Sequence, residues 1–216
     1  AAISLTPDTV QPVHIDEILP AVIDRVDARN QGLEEAKPLM TGIEELDVKT
    51  GGIEPTDLVF IAARPSMWKT DFALDIIDKV SEQGHGVLFF SMEMANIQIG
   101  ERMVSAAGGM SVSRLKEAAK FEDEDWARLS TGIGHLTGRN IWMVDATDLT
   151  LEQIQQTATS HQIAHPETAL VVIDYLLLIK IQSTARYDLA VGELSKGLKR
   201  LAKTNRTPVL ALSQLS

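Results

Sequence analysis

Five short runs of aliphatic and β-branched residues, apolar on both faces, alternate with longer segments of helical period, and no other feature constrains the fold as much. The runs are Leu58–Ala63, Val87–Ser91, Asn140–Val144, Ala169–Asp174 and Pro208–Ser213. The helical patterns lie at Lys69–Gln83, Asn96–Ala107, Asp123–Leu136, Leu151–Ile163 and Leu189–Thr204. A strand apolar on both sides must be covered on both sides, and strands that alternate with helices are joined by right-handed crossovers. This predicts an α/β domain, a mostly parallel sheet with helices on both faces, whose ligands sit at the carboxyl ends of the strands.

Before residue 41 the pattern differs. Pro7 and Pro12 among small and polar residues read as an extended arm. From His14 to Asn30, Ile15, Ile18, Leu19, Val22, Ile23 and Val26 recur at helical spacing, with Asp16 and Glu17 in the first turn. A polar connector, Gln31 to Pro38, follows. Residues 1–40 are thus expected to form an arm and linker helix, and residues 41–216 the main domain. The polar leash favours docking of the helix on another subunit; packing on its own domain is the alternative. A chain of 216 residues suits one domain plus an appendage. Its net charge of −10 argues against a broadly basic nucleic-acid-coating surface and leaves room only for a small basic channel. The absence of cysteine excludes disulfides, thiolate metal sites and cysteine nucleophiles. No run reaches the ~18 apolar residues of a membrane helix, and no signal core opens the chain, so a soluble, cytoplasmic protein is expected.

The strand ends carry the chemistry. After Leu58–Ala63 comes Arg64-Pro65-Ser66-Met67-Trp68-Lys69-Thr70 and then a helical pattern opening with Asp71. In a phosphate-binding loop, backbone N–H groups and a helix N-terminus surround the phosphates, a lysine reaches the β and γ oxygens, and a Ser or Thr holds Mg²⁺. Lys69 and Thr70 occupy those places, but Ala63 and Trp68 stand where the GxxxxGK[ST] pattern has glycine. The strand ending at Asp174 delivers a carboxylate suited to Mg²⁺. Glu93, just beyond Val87–Ser91, is a candidate to orient or deprotonate an attacking water. Gln214 ends the last strand with a neutral amide suited to sensing a γ-phosphate. Singly, Asp174 and Glu93 read as turn or surface acids; the joint pattern promotes them.

The phrases Thr41-Gly42-Ile43-Glu44-Glu45-Leu46-Asp47, Ala62-Ala63-Arg64-Pro65-Ser66-Met67, Phe90-Ser91-Met92-Glu93-Met94, Asp123-Glu124-Asp125-Trp126-Ala127-Arg128, Ile173-Asp174-Tyr175-Leu176 and Ala211-Leu212-Ser213-Gln214-Leu215 together resemble the motor domain of DnaB-type replicative helicases, in order and spacing. The resemblance spans about Thr41 to Ser216, and the residues before it resemble the helix by which one subunit of such a ring docks on the next. It implies a RecA-like ATPase, hexameric in the family, that moves on single-stranded DNA, with ATP and Mg²⁺ as ligands. A helicase loader and primase are the further partners it suggests. Carried over by residue, Lys69 and Thr70 bind phosphate and Mg²⁺, Glu93 is the catalytic base, Asp174 holds Mg²⁺ through water and Gln214 contacts the γ-phosphate. Arg64, Pro65, Ser66 and Met67 form the phosphate cradle. A DNA-contacting loop at about Lys180 to Asp188 has Lys180 and Arg186 as its cations.

Three departures qualify this. Trp68 replaces the family's glycine, where a positive φ would cost a non-glycine residue about 1–3 kcal/mol and the indole must either face outward or enter the phosphate space. Asp71 places a negative charge next to Thr70, which favours the helix dipole but repels phosphate. The family's arginine finger and second DNA loop follow the last strand and are not in these residues, so the domain reads as incomplete at its C-terminal end. A rival expectation follows: an ATPase-impaired interaction module that joins or regulates a helicase ring. Elsewhere, Trp126, Leu129 and Ile133 form a helical stripe read as core, the acidic run Glu122 to Asp125 a helix start, and His161 and His165 solvated helix residues ending at Pro166.

Overall fold

The computed structural model describes residues 12–33, 37–64, 68–174 and 187–214. By its internal contacts the chain falls into two units, residues 1–37 and 38–216. The first holds helix α1 (Ile15–Asn30), which has Asp16 and Glu17 in its first turn and Arg29 in its last, and buries none of its residues. Among the described residues, no helix is long and apolar enough to cross a membrane.

The second unit runs α2 (Glu44–Thr50), β1 (Leu58–Ala63), α3 (Lys69–Glu82), β2 (Gly86–Ser91), α4 (Asn96–Gly108), α5 (Val112–Lys116), α6 (Asp123–Leu136), β3 (Ile141–Asp145), α7 (Leu151–Ala164), β4 (Thr168–Asp174), α8 (Tyr187–Asn205) and β5 (Val209–Gln214). All five strands are parallel, in the order β1-β5-β4-β2-β3. The expected strands and long helices are therefore present, with ends shifted by a residue or two. The short α2 and α5, with too few residues to show a helical period, were not expected.

Strand alternation splits the core into two layers. Val87, Phe89, Leu170, Val172, Leu210 and Leu212 face Ile76, Ile77 and Val80 of α3 and Ile99 and Met103 of α4. Their neighbours Leu88, Phe90, Val171, Ile173, Val209 and Ala211 face the other way, onto Ile154 and Ala158 of α7 and Leu194, Leu198, Leu201 and Ala202 of α8. Each large side chain fully buried this way contributes about 1.5–3 kcal/mol. The Thr41–Asp47 phrase proves to be a pinned turn: Asp47 accepts from Thr41 N (2.8 Å), Thr41 Oγ1 (2.7 Å) and Gly42 N (2.9 Å). Gly42 is required there, because its φ is +77° and a Cβ would press on the Lys79 side chain.

The stripe on α6 is a correction. Trp126 and Ile133 are about half exposed rather than core. Helix α6 packs on α4 through its glycine face, and a Cβ on Gly132 would collide with Val104 O, as one on Gly108 would with Arg128 O. Trp126 instead meets Phe121 edge to face, ring centroids 5.1 Å apart. The acidic run does open α6, with Asp123, Glu124 and Asp125 in the first turn. Both carboxylate oxygens of Asp125 accept from the Arg114 guanidinium. Those bonds, with a further one from Glu122 N, hold the Asp125 carboxyl down to about 2. Because its folded-state pKa is depressed, the pair contributes fully above the ordinary aspartate range near pH ~4 and is lost as pH falls through about 2. An NMR titration should place the Asp125 midpoint there, and Arg114→Gln should return it toward the ordinary range.

His161 and His165 are the second correction. Instead of standing in solvent they are half-buried against Trp142 on β3, His161 edge to face at a centroid distance of 5.4 Å and His165 tilted over the indole at 4.2 Å, with 4.6 Å between the two imidazoles. Burial, then the neighbouring His165, lowers the His161 pKa.

Candidate functional site

The strand register brings the carboxyl ends into one row. Ala63 lies opposite Gln214 across β1 and β5, and Ser91 lies opposite Asp174 on one side and Asp145 on the other. Met92 N donates to Asp174 O at 2.8 Å, tying the turn after β2 to the end of β4. Asp145 Oδ2 accepts from Asn96 N at 2.9 Å, anchoring the start of α4 beside the same row.

Above these ends lies a cleft of about 390 Å³ lined by Ala63, Arg64, Trp68, Lys69, Thr70, Asp71, Glu93, Met94, Arg102 and Gln214. That volume is within the range of small-molecule sites. The N-terminus of α3 opens onto it through Lys69 and Thr70, and the unpaired N–H groups of a helix start favour an anion there. Beneath it is Asp174, only 1% exposed. Thr70 Oγ1 donates to Asp174 Oδ2 at 2.7 Å. Among the described residues Asp174 Oδ1 accepts no hydrogen bond, and the Lys69 ammonium 3.3 Å away supplies the countercharge. A hydroxyl beside one carboxylate is a hard oxygen donor set of the kind that suits Mg²⁺, whose remaining positions go to water and phosphate.

Of the residues predicted from sequence, Ala63, Arg64, Trp68, Lys69, Thr70, Asp71, Glu93 and Gln214 meet in this cleft, with Asp174 bonded to two of them from below. Pro65, Ser66 and Met67, and the loop cations Lys180 and Arg186, lie outside the described residues. Trp68 sits immediately before α3 with φ +50°, in the left-handed region. The residue is 76% exposed although it lines the cleft, so the indole is largely open to solvent at the cleft mouth. The positive φ carries a cost of about 1–3 kcal/mol. Trp68→Gly should therefore raise stability by about 1 kcal/mol net of glycine's greater unfolded-state entropy, and Trp68→Ala, which keeps a Cβ, should not; urea midpoints measure both.

Sequence reading missed two cleft residues, Met94 and Arg102, and of these the charged one is Arg102. Its signal was a cation three positions after the buried Ile99, on the flank of α4 that meets α3, where a charge needs a partner. That partner is Asp71, whose Oδ1 accepts from Arg102 Nη1 at 2.7 Å. The Asp71 charge expected to repel phosphate is thus compensated.

A family profile described as DnaB-like helicase C terminal domain matches residues 38–216. The chain belongs to that family. It is 35% identical over 209 residues to the replicative DNA helicase DnaB of Buchnera aphidicola subsp. Baizongia pistaciae, and 34% over 206 residues to that of Geobacillus stearothermophilus. These alignments cover 95% and 94% of the chain but 45% of each relative, so the chain spans a little under half their length. Among solved structures it resembles one described as an ATPase domain, with a TM-score of 0.84, 30% identity, and coverage of 95% of this chain and 72% of that one. A DnaB-like replicative helicase studied with primase gives the same TM-score at 31% identity, over 95% and 49% of the respective chains. The fold is accordingly RecA-like, as the DnaB-type phrases implied.

Proposed function

We propose that this domain is the ATP-hydrolysing motor of a replicative DNA helicase, coupling hydrolysis to movement on single-stranded DNA. The observation that carries the reading is the Lys69–Asp174–Thr70 constellation at the floor of a cleft that also holds Glu93 and Gln214. A buried carboxylate is expensive unless paired and hydrogen-bonded, and here the pairing is to two residues suited to phosphate and Mg²⁺.

Thr70 and Asp174 would hold Mg²⁺, which when bound neutralises charge on a polyphosphate. Lys69 exchanges part of its attraction to Asp174 for phosphate oxygens. The N–H groups at the start of α3 bind the same anion. The Glu93 carboxylate takes the proton of the attacking water, and the Gln214 amide donates to the terminal phosphate from the end of β5. Each cation and donor is fixed by a strand or helix end before ligand arrives, so charge stabilisation needs little rearrangement.

The apolar stripe of α1 (Ile15, Ile18, Leu19, Val22, Ile23 and Val26) supports self-association, in a ring, through docking on a neighbouring subunit. A helicase loader and primase are the further partners of such an assembly. The test is hydrolysis by the protein at its natural length. It should rise with single-stranded DNA; DNA-independent hydrolysis would overturn the helicase reading. The competing reading, an ATPase-impaired interaction module, takes Trp68 as one of its grounds, and the 76% exposure of that residue weakens that ground.

A further inference from the structure

The cleft shares a wall with a second cavity of about 220 Å³ between α3, α4 and α6, and that wall is the Asp71–Arg102 pair, which lines both. The two side chains are each about one-third exposed and joined at 2.7 Å. Behind them, Asp75 and Asp78 follow Asp71 on the same stripe of α3, at offsets of four and seven residues. Asp78 is held by His135 Nε2, at 2.9 and 3.0 Å, and Asp75 by Lys79 at 3.6 Å. Arg102 therefore stands between an acidic helix stripe and the phosphate space, held by the residue next to Thr70. Both Lys69 and Arg102 are bound to carboxylates, so an incoming polyphosphate competes for each.

Lys69 must meet its carboxylate at the floor, since Asp174 is buried and part of the site. Nothing of the kind requires Asp71, which lies at the surface of the first helical turn, where an uncharged polar residue would serve the helix nearly as well. What Asp71 does is cancel one unit of positive charge at the cleft and fix the guanidinium that carries it. Resting on the nucleotide-binding reading above, we propose that Asp71 is a positioning residue that clamps Arg102 and so sets the affinity of the cleft for polyphosphates, the two acting as a charge-compensating pair. A unit charge a few ångströms from a phosphate in a half-screened cleft is enough for about a tenfold change.

The proposal predicts opposite signs for the two halves of one ion pair, which a structural role does not. Titrating the chain with fluorescent ATP and ADP analogues in Mg²⁺, Asp71→Asn should bind the ATP analogue about tenfold more tightly, because Arg102 keeps a hydrogen-bond partner while its charge is no longer compensated. Arg102→Gln should bind about tenfold more weakly, with Asp71 left uncompensated beside the phosphates. The double variant should lie within about threefold of the unaltered chain, and each shift should be smaller for the ADP analogue. Melting curves without nucleotide separate folding from binding: a structural pair lowers the midpoint and the affinity in both single variants together. Single variants that shift affinity in the same direction, or an Asp71→Asn that binds no more tightly, overturn the clamp while leaving the nucleotide site intact. Absence of saturable binding in all four chains overturns the clamp, and failure of Trp68→Gly to bind as well overturns the site with it.

Discussion

Replacing Glu93 by Gln is expected to reduce ATP hydrolysis about 10²–10⁴-fold, the usual contribution of a positioned general base, while changing nucleotide affinity by no more than about threefold. Glu93 lines the cleft just beyond the end of β2, on a turn anchored by Met92 N on Asp174 O. The neutral isostere fills the same space but cannot take a proton. Steady-state hydrolysis by the protein at natural length, set beside equilibrium binding by the same variant, gives the two numbers. Equal losses in both would make Glu93 a binding residue, and no loss of hydrolysis would remove it from the chemistry.

The second large effect belongs to Lys69. Loss of a charged donor to phosphate costs about 1.5–3 kcal/mol, so Lys69→Ala should weaken nucleotide binding by roughly 10- to 150-fold. It should also destabilise the empty fold by about 3 kcal/mol, since breaking a buried pair leaves an uncompensated charge. Lys69 is itself only 11% exposed and is the cation beside Asp174 Oδ1. A double variant separates the two losses. Lys69→Ala with Asp174→Asn carries an amide that needs no countercharge and can still accept from Thr70 Oγ1, so stability should recover while nucleotide binding stays at least as weak as in Lys69→Ala. Recovery of both would mean that Lys69 served the fold alone.

The parts of the fold legible in sequence were those whose signal is local. β2 and β4 read as continuous apolar runs because each strand feeds both core layers, as Phe89 and Phe90 do on opposite faces. The motif residues were placed for a related reason: a parallel sheet gathers its strand ends, so Ala63, Asp174, Glu93 and Gln214 come together whatever the intervening helices do. What remained unread depends on contacts between elements. A stripe on α6 showed that one face was apolar but not that α4 would meet the glycine face, leaving Trp126 and Ile133 half exposed. The spacing of His161 and His165 gave no hint of Trp142, which reaches them from a strand. Arg102 and Asp71 lie 31 residues apart on different helices, and neither residue type alone announces the other. For Trp68, two directions are open to the indole on sequence grounds, and only the backbone at φ +50° with the exposed side chain chooses between them.

Everything proposed for this cleft requires that it take a magnesium-bound nucleotide despite the tryptophan at its mouth. Equilibrium titration of the chain with ATP in the presence of Mg²⁺ decides the matter. One saturable site per chain is expected, weakened when Mg²⁺ is withdrawn and lost in the Lys69→Ala, Asp174→Asn double variant. Failure of both the unaltered chain and Trp68→Gly to bind would contradict it.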